Sequence, residues 1–457
     1  MHNDLSRSLR PRHITMISIG GIIGAGLFVG SSAAIAATGP AIIFSYLISG
    51  TLILLIMRML GEMAVALPNV RSFTEFVRAG LGCAGGFVAG WLYWYFWIMV
   101  VPVEAIAGAN ILHAWIPAPP WQIGLLLMAV MTGVNLMSAR SYGELEFWFS
   151  SIKVSAIVAF IILGACKLVG WTGAPTPVFQ HLHSGGGFMP HGLASVLAGA
   201  VTVFFALTGA EITTVAAAES AQPARAIAQM TTSVIFRILI FYVFSISLIV
   251  SIVPWALVRV GDSPFTLALS YMGYPWASTA MSWIILTAVL SCLNSAFYVC
   301  SRVLFQLAEH GDAPVGLVVT NRRGVPARSV CLGTFAGVAG VLAATLAPGA
   351  VFAFLVDASG ALMVFVYIMV AIAQIRLRVR RERVGGPFPT IQMWGFPWIS
   401  LMAIAAMVAI LVALATNPGH ARELAFSLVT LGVTCLVYWL KRGRTRKLAS
   451  GAEFRAF

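Results

Sequence analysis

The sequence predicts an all-α integral membrane protein with about twelve transmembrane helices, and three observations carry that expectation. Of 457 residues, 60% are hydrophobic and only 9% charged, against roughly 25% charged in soluble domains. Apolar stretches of about twenty residues, enough to cross a ~30 Å hydrocarbon core, recur from end to end. Two of these stretches are interrupted at what should be mid-membrane, by Gly20-Gly-Ile-Ile-Gly-Ala-Gly26 in the first and by Phe204-Phe-Ala-Leu-Thr-Gly-Ala-Glu211 in the sixth. No long polar segment offers a separate soluble unit, so residues 1–457 read as a single polytopic domain.

In order, the spans are expected near 14–37, 40–67, 84–113, 120–138, 145–170, 192–218, 230–253, 277–308, 327–347, 350–375, 397–416 and 424–440. Pro40, the run Pro117 to Pro120, and Pro348 mark turns where a helix cannot continue. Residues 72–81 read as a short interfacial helix. The loop from Trp171 to His191, with three consecutive glycines at 185–187, is the longest external connection.

The formal charge of +13 would suit a nucleic-acid binder, but the basic residues flank apolar segments instead of sharing a folded face. They report topology. Arg7, Arg10 and Arg12, Arg71 and Arg78, Arg322 to Arg328, Arg376 to Arg383 and Lys441 to Lys447 all fall on one side of the expected spans, leaving Lys167, Arg259 and Arg422 on the other. The positive-inside rule then makes both termini cytoplasmic, in a multi-pass protein of the cell's inner membrane. Six cysteines without CxxC spacing read as small core residues, not disulfides or metal ligands. The basic start and Ala34-Ile35-Ala36 imitate a cleavable signal, but the glycine-rich interior makes a poor signal core and about eleven spans follow. The histidines lack zinc spacing, and no GxxxxGK[ST] run is present to bind ATP.

Four glycines in seven residues each weaken a helix by roughly 1 kcal/mol relative to alanine, so span one should open between Gly20 and Gly26. Opened backbone is tolerated at that depth only where protein buries it or where it lines a cavity. The N–H groups from about Ile23 through Gly24 and Ala25 to Gly26 would then face a substrate carboxylate, assisted by a helix dipole, with Gly20 and Ile22 on the other side of the opening. The alternative is close helix packing on small residues. Span six repeats the pattern. Phe205, Ala206 and Thr208 could offer carbonyls to an ammonium, with Phe205 as an aromatic gate and Gly209 at the break. Glu211 reads as a structural acid satisfying freed N–H groups rather than as a substrate contact. Two breaks five spans apart imply an inverted repeat, 14–170 against 192–375.

Several runs resemble one known family. Gly20 to Phe28, Arg58 to Pro68, Tyr142-Gly-Glu-Leu-Glu-Phe-Trp148 leading into Lys153, Gly209 to Glu211, and Glu219-Ser-Ala-Gln-Pro223 are similar to amino acid permeases of the amino acid/polyamine/organocation superfamily. Gly90 to Trp97 followed by Pro102 to Ala105, and Gly187 to Gly192, are most similar to its 4-aminobutyrate (GABA) permeases. The resemblance covers nearly the whole chain. It implies a LeuT-type core of five plus five inverted helices, with 397–440 as two additional C-terminal helices, broken helices one and six, and uptake driven by protons.

It also implies roles for individual residues. A lysine matching Lys153 replaces the sodium of sodium-coupled relatives and bridges span five to the opened span one. Desolvation disfavours the charge of a buried lysine, so protonation could switch that contact; the plain alternative is a lysine snorkelling to the interface. Glu104, in the span facing the site, could receive a substrate ammonium too far from its carboxylate for the carbonyl cage, as in GABA. It could equally be a packing acid bonded within the bundle. Of the aromatic cluster Trp91 to Trp97, only Tyr95 is placed near the vestibule. Glu62, Glu144 and Glu219, beside Arg58, Arg140 and Arg225, read as gate or scaffold salt bridges.

The function expected is proton-coupled import of a small zwitterionic amino acid by alternating access, with GABA leading. A permease for aromatic residues or proline, an amino acid exchanger, and a transporter-like nutrient sensor are the alternatives. A channel is disfavoured for want of repeated ligand rings, and an enzyme for want of a nucleophile, metal or cofactor motif. No cofactor or nucleic acid is expected; the partners are the amino acid, the proton and the lipid bilayer.

Overall fold

The computed structural model describes residues 23–67, 70, 72–137, 139–171, 176–183, 185–209, 211, 238–321, 323–385, 391–417 and 421–453. Among these residues every regular element is helical. Span one is a π-helical turn, Gly26–Gly30, continued by Ser31–Thr38; it turns at Gly39–Ala41 into span two, Ile42–Ala66. Spans three to five lie within Phe73–His113, Pro120–Asn135 and Ala139–Leu168. Span six is Gly192–Leu207, and span seven runs from Ile238–Phe244 into Ser245–Ile252. Pro275–Glu309, Ala327–Ala343, Pro348–Arg383, Trp398–Thr416 and Ala421–Glu453 form spans eight to twelve. Seven described helices are long and apolar enough to cross a membrane, and Gly192–Leu207, Phe241–Ile252 and Ala327–Ala343 are shorter apolar helices.

The interfacial helix expected at 72–81 is present. Ser72 caps it by accepting the Glu75 N–H at 3.4 Å, the Ser-x-x-Glu pattern of a helix start. Gly82, at φ 80°, ψ −175°, separates it from span three. Two further short helices, Val178–His183 and Pro264–Tyr271, occupy loops at the opposite end of the molecule.

Burial sorts the spans by role. In the most apolar window of span eight 83% of residues are buried inside the protein, against 17% in span twelve. Span three packs against spans eight, nine and ten. Span twelve keeps Leu428, Val429, Leu436 and Trp439 exposed, the composition of a helix that meets lipid around most of its circumference.

The arginine-rich end is held by two acids. The Asp312 carboxylate pairs with Arg78 and lies 3.8 Å from Lys441 Nζ of span twelve, while its carbonyl accepts the Trp91 indole N–H at 3.3 Å. Glu62 Oε2 accepts from the Met393 N–H at 2.6 Å and from Gln374 Nε2 at 3.1 Å, and lies 3.5 Å from Arg378 of span ten. Arg58, four residues from Glu62, donates instead to the Gln392 carbonyl at 2.8 Å and stacks on Trp394. Thus segment 391–397 is clamped onto span two. Of the other acids grouped with Glu62 on sequence, Glu219 lies outside the described residues, and Glu144 falls within span five with its side chain outside them.

Removing Glu62 leaves Arg378 with only its other carboxylate, Glu382 at 3.1 Å, and takes from the Met393 N–H and Gln374 Nε2 the acceptor they share. Glu62→Ala should therefore destabilise the purified protein by about 2 kcal/mol, the scale for leaving buried donors unmet, read as a lowered thermal midpoint in detergent against an unchanged one for Arg259→Gln at the far end.

Candidate functional site

One side of each predicted interruption lies among the described residues, and the two sides meet at one point. Residues 23 and 24 are bent backbone, and the helix beyond them begins with Leu27 and Phe28 N–H both donating to the Gly24 carbonyl at 3.2 and 3.3 Å. The widened turn Gly26–Gly30 follows. Span six stops at Thr208, whose extended backbone (φ −66°, ψ 143°) breaks the helix, and Gly209 follows at φ 126°, a conformation that L side chains rarely adopt.

Gly24, Gly26, Phe205, Ala206, Thr208 and Glu104 line one small central cavity, with Phe96, Trp97, Val100 and Cys292 completing it. Ile23 and Ala25 are buried beside it. A Cβ on Gly26 would lie 2.7 Å from the Ala206 Cα, so the absent side chain is what lets spans one and six touch backbone to backbone. A Cβ on Gly24 would lie 2.6 Å from Cys292 Sγ and 2.9 Å from Glu104 Oε1. Phe205 packs on Phe96 of span three at 6.1 Å between ring centroids. The cavity measures about 10 Å³, room for one water at most; an amino acid does not fit this conformation.

Each freed backbone end is met by a carboxylate. Glu104, 1% exposed, accepts the Ala25 N–H with both oxygens at 3.1 and 3.2 Å. Glu211, fully buried, accepts the Gly209 N–H at 3.1 Å and the Tyr367 hydroxyl of span ten at 3.0 Å. An unmet N–H at such depth costs about 1–3 kcal/mol, and these side-chain oxygens supply the missing acceptor.

Lys153 is fully buried, so it does not snorkel to an interface. Its Nζ donates to Ser291 Oγ of span eight at 2.8 Å and lies 3.7 Å from Glu146 Oε1. Ser291 Oγ in turn donates to Glu146 Oε2 at 2.6 Å, and Ser150 Oγ to Glu146 Oε1 at 3.2 Å. Glu146 therefore holds lysine and serine together, seven residues before Lys153 on the same helix. The stretch of span one expected opposite Lys153, including Gly20 and Ile22, lies outside the described residues.

Sequence reasoning missed Cys292, Trp97 and Glu146. Tyr95, placed near the site on sequence, packs instead against Trp91 and Trp94, whereas Trp97, two residues on, reaches the cavity. The signal for Glu146 was its helical spacing: positions 146, 150 and 153 share one face.

A bundle of apolar helices with two interrupted ones abutting at a mid-membrane cavity defines the class of a membrane transporter. The solved structure of a manganese transporter from Eremococcus coleocola, in complex with an aromatic bis-isothiourea compound, shares this LeuT-type fold at TM-score 0.58 and 13% identity, over 93% of this chain and 92% of that one. Residues 13–440 match the amino acid permease family. A gamma-aminobutyric acid permease of Bacillus subtilis is 42% identical across 96% of this chain and 94% of its own length. An aromatic amino acid transport protein of Corynebacterium glutamicum is 36% identical across 96% and 97%. The chain belongs to the amino acid permease family and is a multi-pass amino acid transporter.

The backbone contact at Gly26 yields a test. Gly26→Ala should lower amino acid uptake by about tenfold or more, because the added carbon meets main chain that cannot rotate away and overpacking costs about 1–3 kcal/mol. Gly30→Ala, whose Cβ finds its nearest neighbour at 3.5 Å, should transport normally at equal membrane abundance.

Proposed function

We propose that the protein imports GABA, or a similarly small zwitterionic amino acid, into the bacterial cytoplasm by proton-coupled alternating access, with its arginine-rich end and both termini cytoplasmic in the inner membrane. The observation that carries this reading is the Glu104 carboxylate seated on the Ala25 N–H. The opened turn of span one is an anion slot, and in the closed cavity the chain's own carboxylate fills it. An incoming substrate carboxylate takes over the slot, and the displaced Glu104 then receives the ammonium. A ligand whose two charges are separated along a chain can satisfy both exchanges; an α-amino acid holds its charges too close together to reach both without strain. The high identity to a relative named as a GABA permease favours the same substrate.

Coupling falls to Lys153. Its ammonium ties span five to span eight through Ser291 and Glu146. Loss of its proton removes the attraction to Glu146 and one donated hydrogen bond, which loosens the packing beside the cavity wall at Cys292. Cycling of that proton between the two faces links uptake to the pH gradient.

Proteoliposomes with an alkaline interior should accumulate GABA above its external concentration, in preference to proline, phenylalanine and β-alanine. Accumulation of no amino acid, or accumulation indifferent to the gradient, overturns the reading. Lys153→Ala should abolish uphill uptake while leaving downhill exchange measurable. Glu104→Gln should weaken competition by GABA by about tenfold, the scale of one charge-assisted hydrogen bond, and competition by α-amino acids much less; an equal loss for both removes the role assigned to Glu104.

A further inference from the structure

At the end opposite the arginine clusters lies a second and far larger cavity, about 520 Å³, a volume typical of small-molecule sites. It is bounded by Val29 of span one, Asn110 and Trp115 at the end of span three, the loop from Leu257 to Ser263, the start of the short helix Pro264–Tyr271, and Ser278 and Ser282 of span eight. Phe265, the second residue of the short helix, does not line the cavity but is buried against Phe28 of the span-one turn at 5.0 Å and Phe160 of span five at 4.8 Å between centroids, which anchors that helix.

Two charged residues border this cavity, and they have opposite signs: Arg259 and Asp262. They sit three apart in a turn closed by the Asp262 N–H donating to the Arg259 carbonyl at 3.2 Å, and the Gly261 N–H donating to Ser32 Oγ at 3.0 Å pins that turn to span one. Among the described residues neither charged side chain has an ion-pair or hydrogen-bond partner, not even the other. Ser263, at the N-terminus of Pro264–Tyr271, has a buried hydroxyl oxygen that likewise lacks a partner. The positive end of that helix adds to the Arg259 side of the cavity. Opposite charges this near in sequence, fixed on one turn yet unpaired, make a surface complementary to a molecule that carries both.

We propose that this cavity is an outer binding site for a zwitterionic amino acid: Arg259, with Ser263 and the first turn of Pro264–Tyr271, takes the carboxylate, and Asp262 takes the ammonium. The inference rests on the reading of the protein as an importer of such a molecule. The site loads from outside while the inner cavity is closed.

The test is the concentration dependence of initial GABA uptake in proteoliposomes for the wild type, Arg259→Gln, Arg259→Lys and Asp262→Asn. All these positions are exposed, so the variants fold. Arg259→Gln and Asp262→Asn should each raise KM about tenfold with the maximal rate unchanged, and Arg259→Lys should stay within about twofold of wild type. An unchanged KM in both, or a lowered maximal rate at unchanged KM, overturns the site. A shift in only one overturns the zwitterion assignment. Wild-type protein that transports no amino acid rejects the importer reading first, and this proposal with it, whereas normal wild-type uptake with insensitive variants rejects the outer site alone.

Discussion

Everything at the centre of this protein follows from the need to satisfy polar backbone in a place without water. Interrupting a helix in a membrane frees N–H and C=O groups that lipid cannot bond. The chain answers at both interruptions with a glutamate, one distant in sequence and one local. Glu104 reaches from span three to the Ala25 N–H, and Glu211 folds back on the Gly209 N–H while Tyr367 of span ten holds it. The two arrangements differ in reach. Glu211 has a local acceptor role braced by a tyrosine. Glu104 spans 79 positions of sequence to meet the Ala25 N–H.

Span eight connects that slot to the lysine. Ser291 and Cys292 are consecutive, so they project about 100° apart on one helical turn. Ser291 joins the Lys153 and Glu146 network, while Cys292 forms the wall against Gly24 and Glu104. A small rotation or shift of span eight therefore acts on both at once. The buried charge pair is tolerated because serine hydroxyls occupy both carboxylate oxygens of Glu146; an ion pair without such extra bonds rarely recovers its desolvation cost in a low-dielectric interior.

The parts of this design that depend on local sequence were readable without coordinates. Glycine density announced the break in span one, and the pattern Thr208-Gly209 with an acid two residues on announced the break in span six. The short helix at 72–81 was also expected, and the structure adds its cap, Ser72 on the Glu75 N–H. Contacts set by how helices turn against each other were not readable. Cys292 looked like any small core residue, since nothing in its neighbours says which face of span eight meets Gly24. Trp97 and Tyr95 lie about 200° apart around span three, and only the packing decides which ring reaches the cavity. Glu62 was grouped with Arg58 by adjacency in the chain, yet its partner is Arg378, 316 positions away. Glu146 sat inside a motif that identified the family and was passed over as a residue with work of its own.

A protein that crosses a membrane must also be an insulator. A central space of about 10 Å³ holds no column of water, so in this closed conformation the described helices leave solutes no wet path past Gly26.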